Sequence, residues 1–314
     1  MKKYFKFTLE GEQVFVYIII FILIILAPAV FMLSLGYSSA PQMYGTISFI
    51  PFIIYWIVAI PVMLYLFLMI VKLTISHIYF EEENADFSFV LSEYLGLVLR
   101  GFVLTVLSLG IYAPWFSAEL TQYYAKNTSY KSKHFEFLGK GFELFKFIIV
   151  AGILPAIVLG IFFTDHLFNN PSENFFENWL LNLLTTLVFV PLTFLIYRWF
   201  IDFRFNGYKV DNEEPLSEGV QVIGLQLLIN VATLGIYFPI AYLKIYRYLI
   251  STTTIKNDEG KQYQLDYDIT EVEDFIFIWG QTLLLVVTLG IYAPWAFCKI
   301  YKRVIDKTSL SEIM

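Results

Sequence analysis

Long apolar runs alternate with short polar segments along the whole chain, and the lengths of these runs predict membrane helices. A helix needs roughly 20 apolar residues to cross a hydrocarbon core of about 30 Å. Four runs are close to that length or longer and contain no charged residue: Val14–Leu35, Ile47–Val71, Phe147–Thr164 and Trp179–Tyr197. Three further runs are shorter and carry polar side chains: Leu95–Gly110, Val220–Gly235 and Phe275–Gly290. The pattern predicts an α-helical polytopic membrane protein with four clear transmembrane helices and three weaker ones.

Each of the three weaker runs ends in the sequence Leu-Gly-Ile-Tyr-x-Pro, and this signature marks an internal repeat. Its copies are SLGIYAPW at Ser108–Trp115, TLGIYFPI at Thr233–Ile240 and TLGIYAPW at Thr288–Trp295. Further matches lie before and after the signature at the same offsets, and fixed-period self-similarity is typical of repeat architectures. We predict one repeat unit over residues 1–130, a second over residues 131–254, and a partial third over residues 255–314.

The signature itself predicts a break between two helices. Glycine relaxes the backbone, and the residue before a proline is pushed away from the α-helical region. Proline then fits the first turn of a new helix. The segment that follows is basic and aromatic, which is typical of interfacial amphipathic helices. The signature also carries aromatic side chains that suit a membrane–water interface: Tyr112, Tyr237, Tyr292, Trp115 and Trp295.

Lysine and arginine residues are distributed unevenly between the loops, and this distribution predicts a topology. The loops Gly36–Thr46 and Asp165–Asn178 contain none, whereas the N-terminal segment and the segments flanking the signature contain many. Cytoplasmic loops of membrane proteins carry an excess of Lys and Arg. If the three signature helices enter and return on one side, the N-terminus and every basic loop residue are cytoplasmic. The alternative is seven ordinary spans with a weak charge bias.

Several segments between the helices show alternating, β-branched or aromatic patterns that favour strands. Because they all lie on the basic side, they predict a small cytoplasmic β layer, and Asn257–Gly260 predicts a hairpin turn within it. The candidate strands are Tyr4–Leu9, Leu73–Phe80, Tyr130–Phe137, Ile201–Val210 and Tyr263–Ile269.

Three glutamates, Glu93, Glu218 and Glu273, recur at the start of the signature helices. Acidic side chains at a helix N-terminus complement the helix dipole, and this predicts a structural role. The alternative is that the repeat gathers the three carboxylates into an ion site.

Polar residues inside the signature helices are the other candidates. Arg100 is the only charge deep within an apolar run; it either has a function or extends toward lipid headgroups. Gln226 and Gln281 occupy equivalent positions in two copies. Amides within membranes commonly join helices, and the alternative for these two is a substrate pathway.

Composition and motif searches exclude several classes. The hydrophobic fraction of 58% exceeds the roughly 45–50% of soluble domains, and the net charge of −6 argues against a nucleic-acid partner. The single cysteine, Cys298, permits no intramolecular disulfide. The chain contains no phosphate-binding loop, dinucleotide fingerprint, nucleophile elbow or zinc-protease motif. We therefore expect no enzymatic activity, no cofactor and no metal site.

The triplicated signature, the basic helix after it and the Phe-x-Phe…Gly segments at Phe5–Gly11 and Phe135–Gly141 resemble the YjgN-like family. The second signature copy departs from the pattern at Ile240, where the others have tryptophan. The resemblance implies a multi-pass protein of the bacterial inner membrane. The family's function is uncharacterised, so no catalytic residue is carried over.

Two functions are open at this point. One is a transporter or channel for a small solute or lipid-like molecule, with Gln226 and Gln281 lining a water-accessible cavity. The other is a non-catalytic membrane scaffold or regulator with a cytoplasmic β layer. In both, the lipid bilayer is the main partner.

Overall fold

Helices make up most of the chain, and the computed structural model describes residues 2–34, 50–163, 175–257 and 260–313. A short π-helical segment, Ile149–Ile153, joins the helices Gly141–Ile148 and Leu154–Phe162 into one continuous helical rod. The described helices are α1 (Gly11–Ser34), α2 (Ile50–Ser76), α3 (Leu91–Leu107), α4 (Ala113–Asn127), α5 (Gly141–Ile148), α6 (Leu154–Phe162), α7 (Phe175–Val188), α8 (Val190–Phe200), α9 (Leu216–Ala232), α10 (Phe238–Ser251), α11 (Glu271–Val287) and α12 (Ala293–Asp306).

Four helical segments are long and apolar enough to cross a membrane: Gly11–Val30, Phe52–Ser76, Gly141–Ile161 and Asn178–Phe200. We call them the rods. Each overlaps one of the four predicted spans. The predicted ends at Leu35, Ile47 and Thr164 lie outside the described residues. The rods also extend beyond the apolar windows, as far as Ser76 and back to Gly141, because the helices run on until they meet the strands.

The strands form one antiparallel sheet that nearly closes on itself. The described strands are β1 (Lys3–Tyr4), β2 (Lys6–Phe7), β3 (Ile78–Phe80), β4 (Glu83–Phe87), β5 (Thr128–Tyr130), β6 (Lys133–Phe137), β7 (Phe203–Phe205), β8 (Tyr208–Asp211), β9 (Thr254–Asn257), β10 (Gln262–Tyr267) and β11 (Thr308–Ile313). Their order is β1-β11-β10-β9-β8-β7-β6-β5-β4-β3-β2. Only Phe5 separates β1 from β2, so both ends of this 11-stranded sheet lie in one short segment.

The predicted β layer is therefore too small. The predicted strand Leu73–Phe80 is wrong in its first half, because Leu73–Ser76 continues α2. The predicted strand Tyr130–Phe137 is the end of β5, a turn and β6. Two-residue turns with both residues at positive φ join β3 to β4, β5 to β6 and β7 to β8, which matches the twist of hairpin strands. Part of the predicted turn at Asn257–Gly260 lies outside the described residues.

Pairs of helices alternate with β-hairpins along the chain, and each pair begins and ends at a strand. We call α1–α2 and α5–α8 the first and second long pairs. We call α3–α4, α9–α10 and α11–α12 the first, second and third signature hairpins. The main helix contacts link each pair to its neighbours, and α12 packs on α1. The helix pairs thus form a ring that follows the sheet.

Separate apolar clusters hold neighbouring helix pairs together, one at each junction of the ring. The last residues of β2, β4, β6 and β10 contribute a buried aromatic ring to four of them: Phe7, Phe87, Phe137 and Tyr267. Helix side chains complete the five clusters, which join Val14 with Cys298, Leu68 with Tyr94, Ala125 with Leu144, Phe194 with Ile223, and Leu243 with Ile278. The core is therefore distributed around the ring.

Tryptophans of the signature pack where a long pair begins. A Cβ atom on Gly141 would lie 2.6 Å from the Cα of Trp115, and one on Gly11 would lie 2.5 Å from the ring of Trp295. Glycine is required at both positions because the backbones approach so closely. Ile240, at the same signature position, lies in α10, which packs on α11 of another signature hairpin. The tryptophan thus occurs where the next helix pair is long.

Candidate functional site

The three signature copies share one backbone conformation, and it turns the chain back toward the sheet. In each copy the leucine and the glycine both have positive φ, as at Leu109 (53°) and Gly110 (91°). The Gly110 N–H donates to the Thr105 carbonyl (2.7 Å), which closes the preceding helix. The Tyr112 N–H donates to Ser108 Oγ (2.9 Å) at the start of the next helix. The predicted helix break is found, but two left-handed residues make it.

A leucine in the left-handed region is unusual, because its Cβ is crowded there at a cost of roughly 1–2 kcal/mol. The same conformation recurs at Leu234 and Leu289. Leu109 is 93% exposed and Leu289 is 92% exposed, so packing within the protein does not offset the strain. Exposed apolar residues surround both leucines, including Leu107 and Ile291. The tips of the signature hairpins are therefore apolar and uncovered.

Below the tip, the signature tyrosine joins the two arms of its own hairpin. Tyr237 Oη donates to Gln226 Oε1 (3.0 Å), and Tyr292 Oη donates to Gln281 Oε1 (2.7 Å). In the third hairpin, Lys299 Nζ donates to the same Tyr292 hydroxyl (2.9 Å). The predicted amides are thus brought to the predicted tyrosines, and they connect the arms of a hairpin.

In the first signature hairpin, charged side chains replace the amide in the contact with the signature tyrosine. Tyr112 Oη donates to Glu119 Oε1 (2.9 Å), and Arg100 Nη2 donates to Glu119 Oε2 (2.7 Å). Gly101 stands where the other copies have glutamine, and the ring of Phe116 fills its space. Arg100 thus has a carboxylate partner on the facing arm, which sequence reasoning did not identify.

The three recurring glutamates lie in the first turn of their own helices, α3, α9 and α11. Glu273 is 3.4 Å from Arg303 on the facing arm. Within the part of the chain that the structure describes, no group of three or more His, Cys, Asp or Glu side chains could hold a metal ion. The three carboxylates are therefore not gathered into one group, and each lies in the first turn of a different helix.

Sequence reasoning missed the neighbouring residue, Asp274, which is fully buried. Its Oδ1 accepts from Arg303 Nε and from Lys307 Nζ, each at 2.7 Å, and its Oδ2 accepts from the Thr270 N–H at 2.9 Å. Tyr267 Oη is 3.4 Å from the same Oδ2. The available signal was a pair of cations four residues apart, Arg303 in the last turn of α12 and Lys307 just after it. Asp274 ties the two arms of the third signature hairpin to β10.

Replacing Tyr292 by phenylalanine should lower the free energy of unfolding by about 1–2 kcal/mol, because one hydroxyl serves both Gln281 and Lys299. Thermal unfolding of the detergent-solubilised protein measures this change. Tyr242→Phe is the control, since the Tyr242 ring is half exposed and we expect almost no change there. Equal stability of the two variants would contradict a role for the hydroxyl in joining the arms.

None of these tyrosines lines either of two cavities in the described part of the chain. The larger cavity, about 600 Å³, is lined by Lys3 and Lys6 of the segment that closes the sheet and by Glu81 of the β3–β4 turn. The smaller, about 280 Å³, lies where α12 meets the start of α1. Neither is lined by Gln226 or Gln281.

The four long apolar helices define the class of this chain, a mainly helical protein suited to insertion in a lipid bilayer. The chain matches the family described as "Bacterial protein of unknown function (DUF898)" over residues 2–133 and again over residues 82–212. The two matches cover more than half of the 314 residues, so the protein belongs to this family. This confirms the resemblance to the YjgN-like family. No match was found among curated proteins or solved structures.

Proposed function

We propose that this protein is a non-catalytic scaffold of the bacterial inner membrane, in which a cytoplasmic sheet holds the helix pairs in a ring. The observation that carries the proposal is the set of tyrosine contacts. The polar groups of the signature bond within single hairpins, as Tyr237 does with Gln226 and Tyr292 with Gln281. Groups that lined a solute pathway would instead face a shared cavity.

The charge distribution supports a cytoplasmic sheet. Because each helix pair begins and ends at a strand, the segments joining helices to strands share one side of the ring. The linkers between the helices of the long pairs, residues 35–49 and 164–174, contain no lysine or arginine. An excess of Lys and Arg on the sheet side favours a cytoplasmic location for it.

The dimensions of the signature hairpins support partial insertion into the bilayer. Their arms have 14 to 17 residues. At about 1.5 Å per residue this is about 21–26 Å, less than a hydrocarbon core of about 30 Å. Their apolar tips would then lie among the acyl chains, while the basic arms α10 and α12 return toward the sheet. The three copies sharing this turn also fit the proposed repeat, with units at 1–130, 131–254 and 255–314.

One observation favours a second candidate, a transporter or channel. The cavity of about 600 Å³ opens where the sheet closes, and charged and polar side chains such as Lys3, Lys6 and Tyr79 line it. In this candidate, the cavity would form part of a solute path at the closure of the sheet.

Flux and topology measurements test the proposal. Liposomes loaded with small fluorescent solutes and containing the purified protein should release no more solute than empty liposomes. Protein-dependent release that Lys6→Ala abolishes would favour the second candidate.

The topology is tested with single cysteines in a Cys298→Ala background, since alanine stands at the equivalent position 118. Asn127→Cys should resist an impermeant thiol reagent in whole cells and react after lysis. Ser38→Cys, in a linker without basic residues, should react in whole cells. Labelling of Asn127→Cys from outside would overturn the cytoplasmic sheet.

A further inference from the structure

The smaller cavity lies at the junction that closes the helix ring. It occupies about 280 Å³ between the first residues of α1 and the side of α12. Glu10, Gly11 and Glu12 line one wall. Trp295, Lys299 and Lys302 line the other. Because Gly11 is the first residue of a candidate span, the cavity lies at the end of an apolar helix. That is the level at which lipid headgroups lie and tryptophans concentrate.

The two walls carry opposite charges that do not neutralise each other. Lys299 Nζ donates to the Tyr292 hydroxyl, and Lys302 Nζ donates to the Phe7 carbonyl (2.8 Å) and lies 3.3 Å from Asp306 Oδ2. Among the described residues, neither Glu10 nor Glu12 makes an ion pair with a lysine or arginine. The cavity thus offers two lysines on one side, one of them shared with Asp306, and two carboxylates without an ion-pair partner on the other.

This charge arrangement is specific to the closing junction. The equivalent junction, where α4 meets α5, has the same tryptophan against the same glycine, Trp115 against Gly141. There Phe142 stands where α1 has Glu12, and Glu119 stands where α12 has Lys299. Packing of the two helices therefore does not require this set of charges. The lysines have structural contacts with Tyr292 and Phe7, whereas the two glutamates, which make no ion pair among the described residues, need another explanation.

We propose that this cavity binds the phosphoethanolamine headgroup of a membrane lipid, with the phosphate at Lys299 and Lys302 and the ammonium at Glu10 and Glu12. Two lysines alone would accept the phosphate of any phospholipid. The carboxylates select among headgroups, because an ammonium donates three hydrogen bonds. A choline group donates none, and an anionic glycerol headgroup adds no positive charge for them. The proposal rests on the membrane placement of α1 proposed above.

Lipid titration of the purified full-length protein tests the selectivity. Phosphatidylethanolamine, phosphatidylcholine and phosphatidylglycerol with identical acyl chains are added to the delipidated protein in detergent, and bound lipid is counted by native mass spectrometry. We expect at least a tenfold preference for phosphatidylethanolamine over the other two. Equal binding of the three lipids would overturn the proposal.

Variants separate the two walls. Glu10→Gln with Glu12→Gln should remove the preference, and Lys299→Gln should weaken binding of all three lipids. Lys140→Gln with Glu143→Gln, at the equivalent junction, is the matched control and should behave as wild type. An unchanged preference in the Glu10 and Glu12 variant would overturn the proposal, provided that it unfolds at the wild-type temperature. Lys299→Gln leaves the Lys302–Phe7 contact intact, so a folded variant is expected there.

Two further measurements distinguish the source of the ligand and the cause of a failure. Free phosphoethanolamine at millimolar concentration should displace little bound lipid, and complete displacement would indicate a soluble ligand. Extraction of membranes with alkaline carbonate should leave the protein in the membrane. Release into the supernatant would refute the proposed membrane function, whereas retention without lipid preference would refute the headgroup site alone.

Discussion

Replacing Phe7 by alanine is expected to lower the free energy of unfolding by about 3–5 kcal/mol, the usual cost of truncating a buried phenylalanine. Phe7 is fully buried and packs with Leu9, Val14 and Cys298 at the junction that closes the ring. The cavity left by the substitution would lie between the first and last helices of the chain. Cys298 reports the change directly, because the single cysteine of the sequence is buried in the same cluster.

The measurement is thermal unfolding in detergent with a dye that fluoresces on reaction with a thiol. Burial raises the pKa of the Cys298 thiol to about 11, so the thiol should be unreactive until this junction opens. Lys6→Ala is the matched control: Lys6 adjoins Phe7 on the same strand but is exposed, and we expect a change below about 0.5 kcal/mol. If both variants reacted at the wild-type temperature, Phe7 would not hold the closure.

The second large effect is expected at Asp274. Asp274→Ala should lower the free energy of unfolding by about 3 kcal/mol, because it leaves Arg303 and Lys307 without their shared carboxylate. Glu273→Gln, one residue earlier, should cost less than about 1 kcal/mol. The Glu273 side chain is 74% exposed, and its Oε2 lies 3.4 Å from Arg303 Nη2, farther than the 2.7 Å between Asp274 and Arg303. If the two substitutions lowered the free energy of unfolding by similar amounts, the burial of Asp274 would not explain its contribution to stability.

The contribution of the Asp274 carboxylate to stability should also depend on pH. Burial raises the pKa of Asp274, but the Lys307 ammonium, the Thr270 N–H and the Arg303 guanidinium outweigh it, and the pKa lies below its ordinary value. The contribution of the carboxylate to stability is therefore complete above the unfolded pKa of about 3.9 and is lost as the pH falls through the folded value. The melting temperature of wild type should fall more steeply below about pH 4 than that of Asp274→Asn. Parallel curves would argue against this assignment.

Local patterns were enough to predict the helices and the signature turns. The glycine and proline of the signature predicted a break, and the break occurs in all three copies. The left-handed leucines were not predicted, since local steric preference disfavours that conformation. Leu109 and Leu289 adopt it although both side chains are more than nine-tenths exposed.

The closure of the sheet could not be predicted from local patterns, because it depends on pairing between distant segments. Lys3 pairs with Leu310 and Lys6 pairs with Tyr79, and both registers are set by tertiary packing. β11, Thr308–Ile313, was missed because its serines and threonine follow a basic helix without a clear alternation. β10 was predicted because apolar and aromatic residues alternate along it. Ile201–Val210 was predicted as one strand, but it contains β7, a turn at Asn206 and Gly207, and most of β8.

The residues of the candidate site were also predicted only in part. The recurrence of Gln226 and Gln281 and of the signature tyrosines singled out residues that join the arms of the second and third signature hairpins, although it did not predict their pairing. The third contact, from Arg100 to Glu119, replaces the amide by an ion pair, which position-by-position comparison could not show. Because Glu273 recurs in the other copies, sequence reasoning chose it as a candidate and passed over Asp274. In the structure, Asp274 is the buried residue and makes the closer ion pairs.

The N-terminal segment has a consequence for biosynthesis. β2 pairs with β3, but β1 pairs with β11, so the partner of β1 is made some three hundred residues later. Until then β1 presents an unpaired edge, which is a known route to incorrect strand pairing. The acidic residues that meet this segment, Glu81, Asp266 and Asp268, would attract Lys2 and Lys3 once they are made. The last step in assembly of the ring thus waits until β11 has been made.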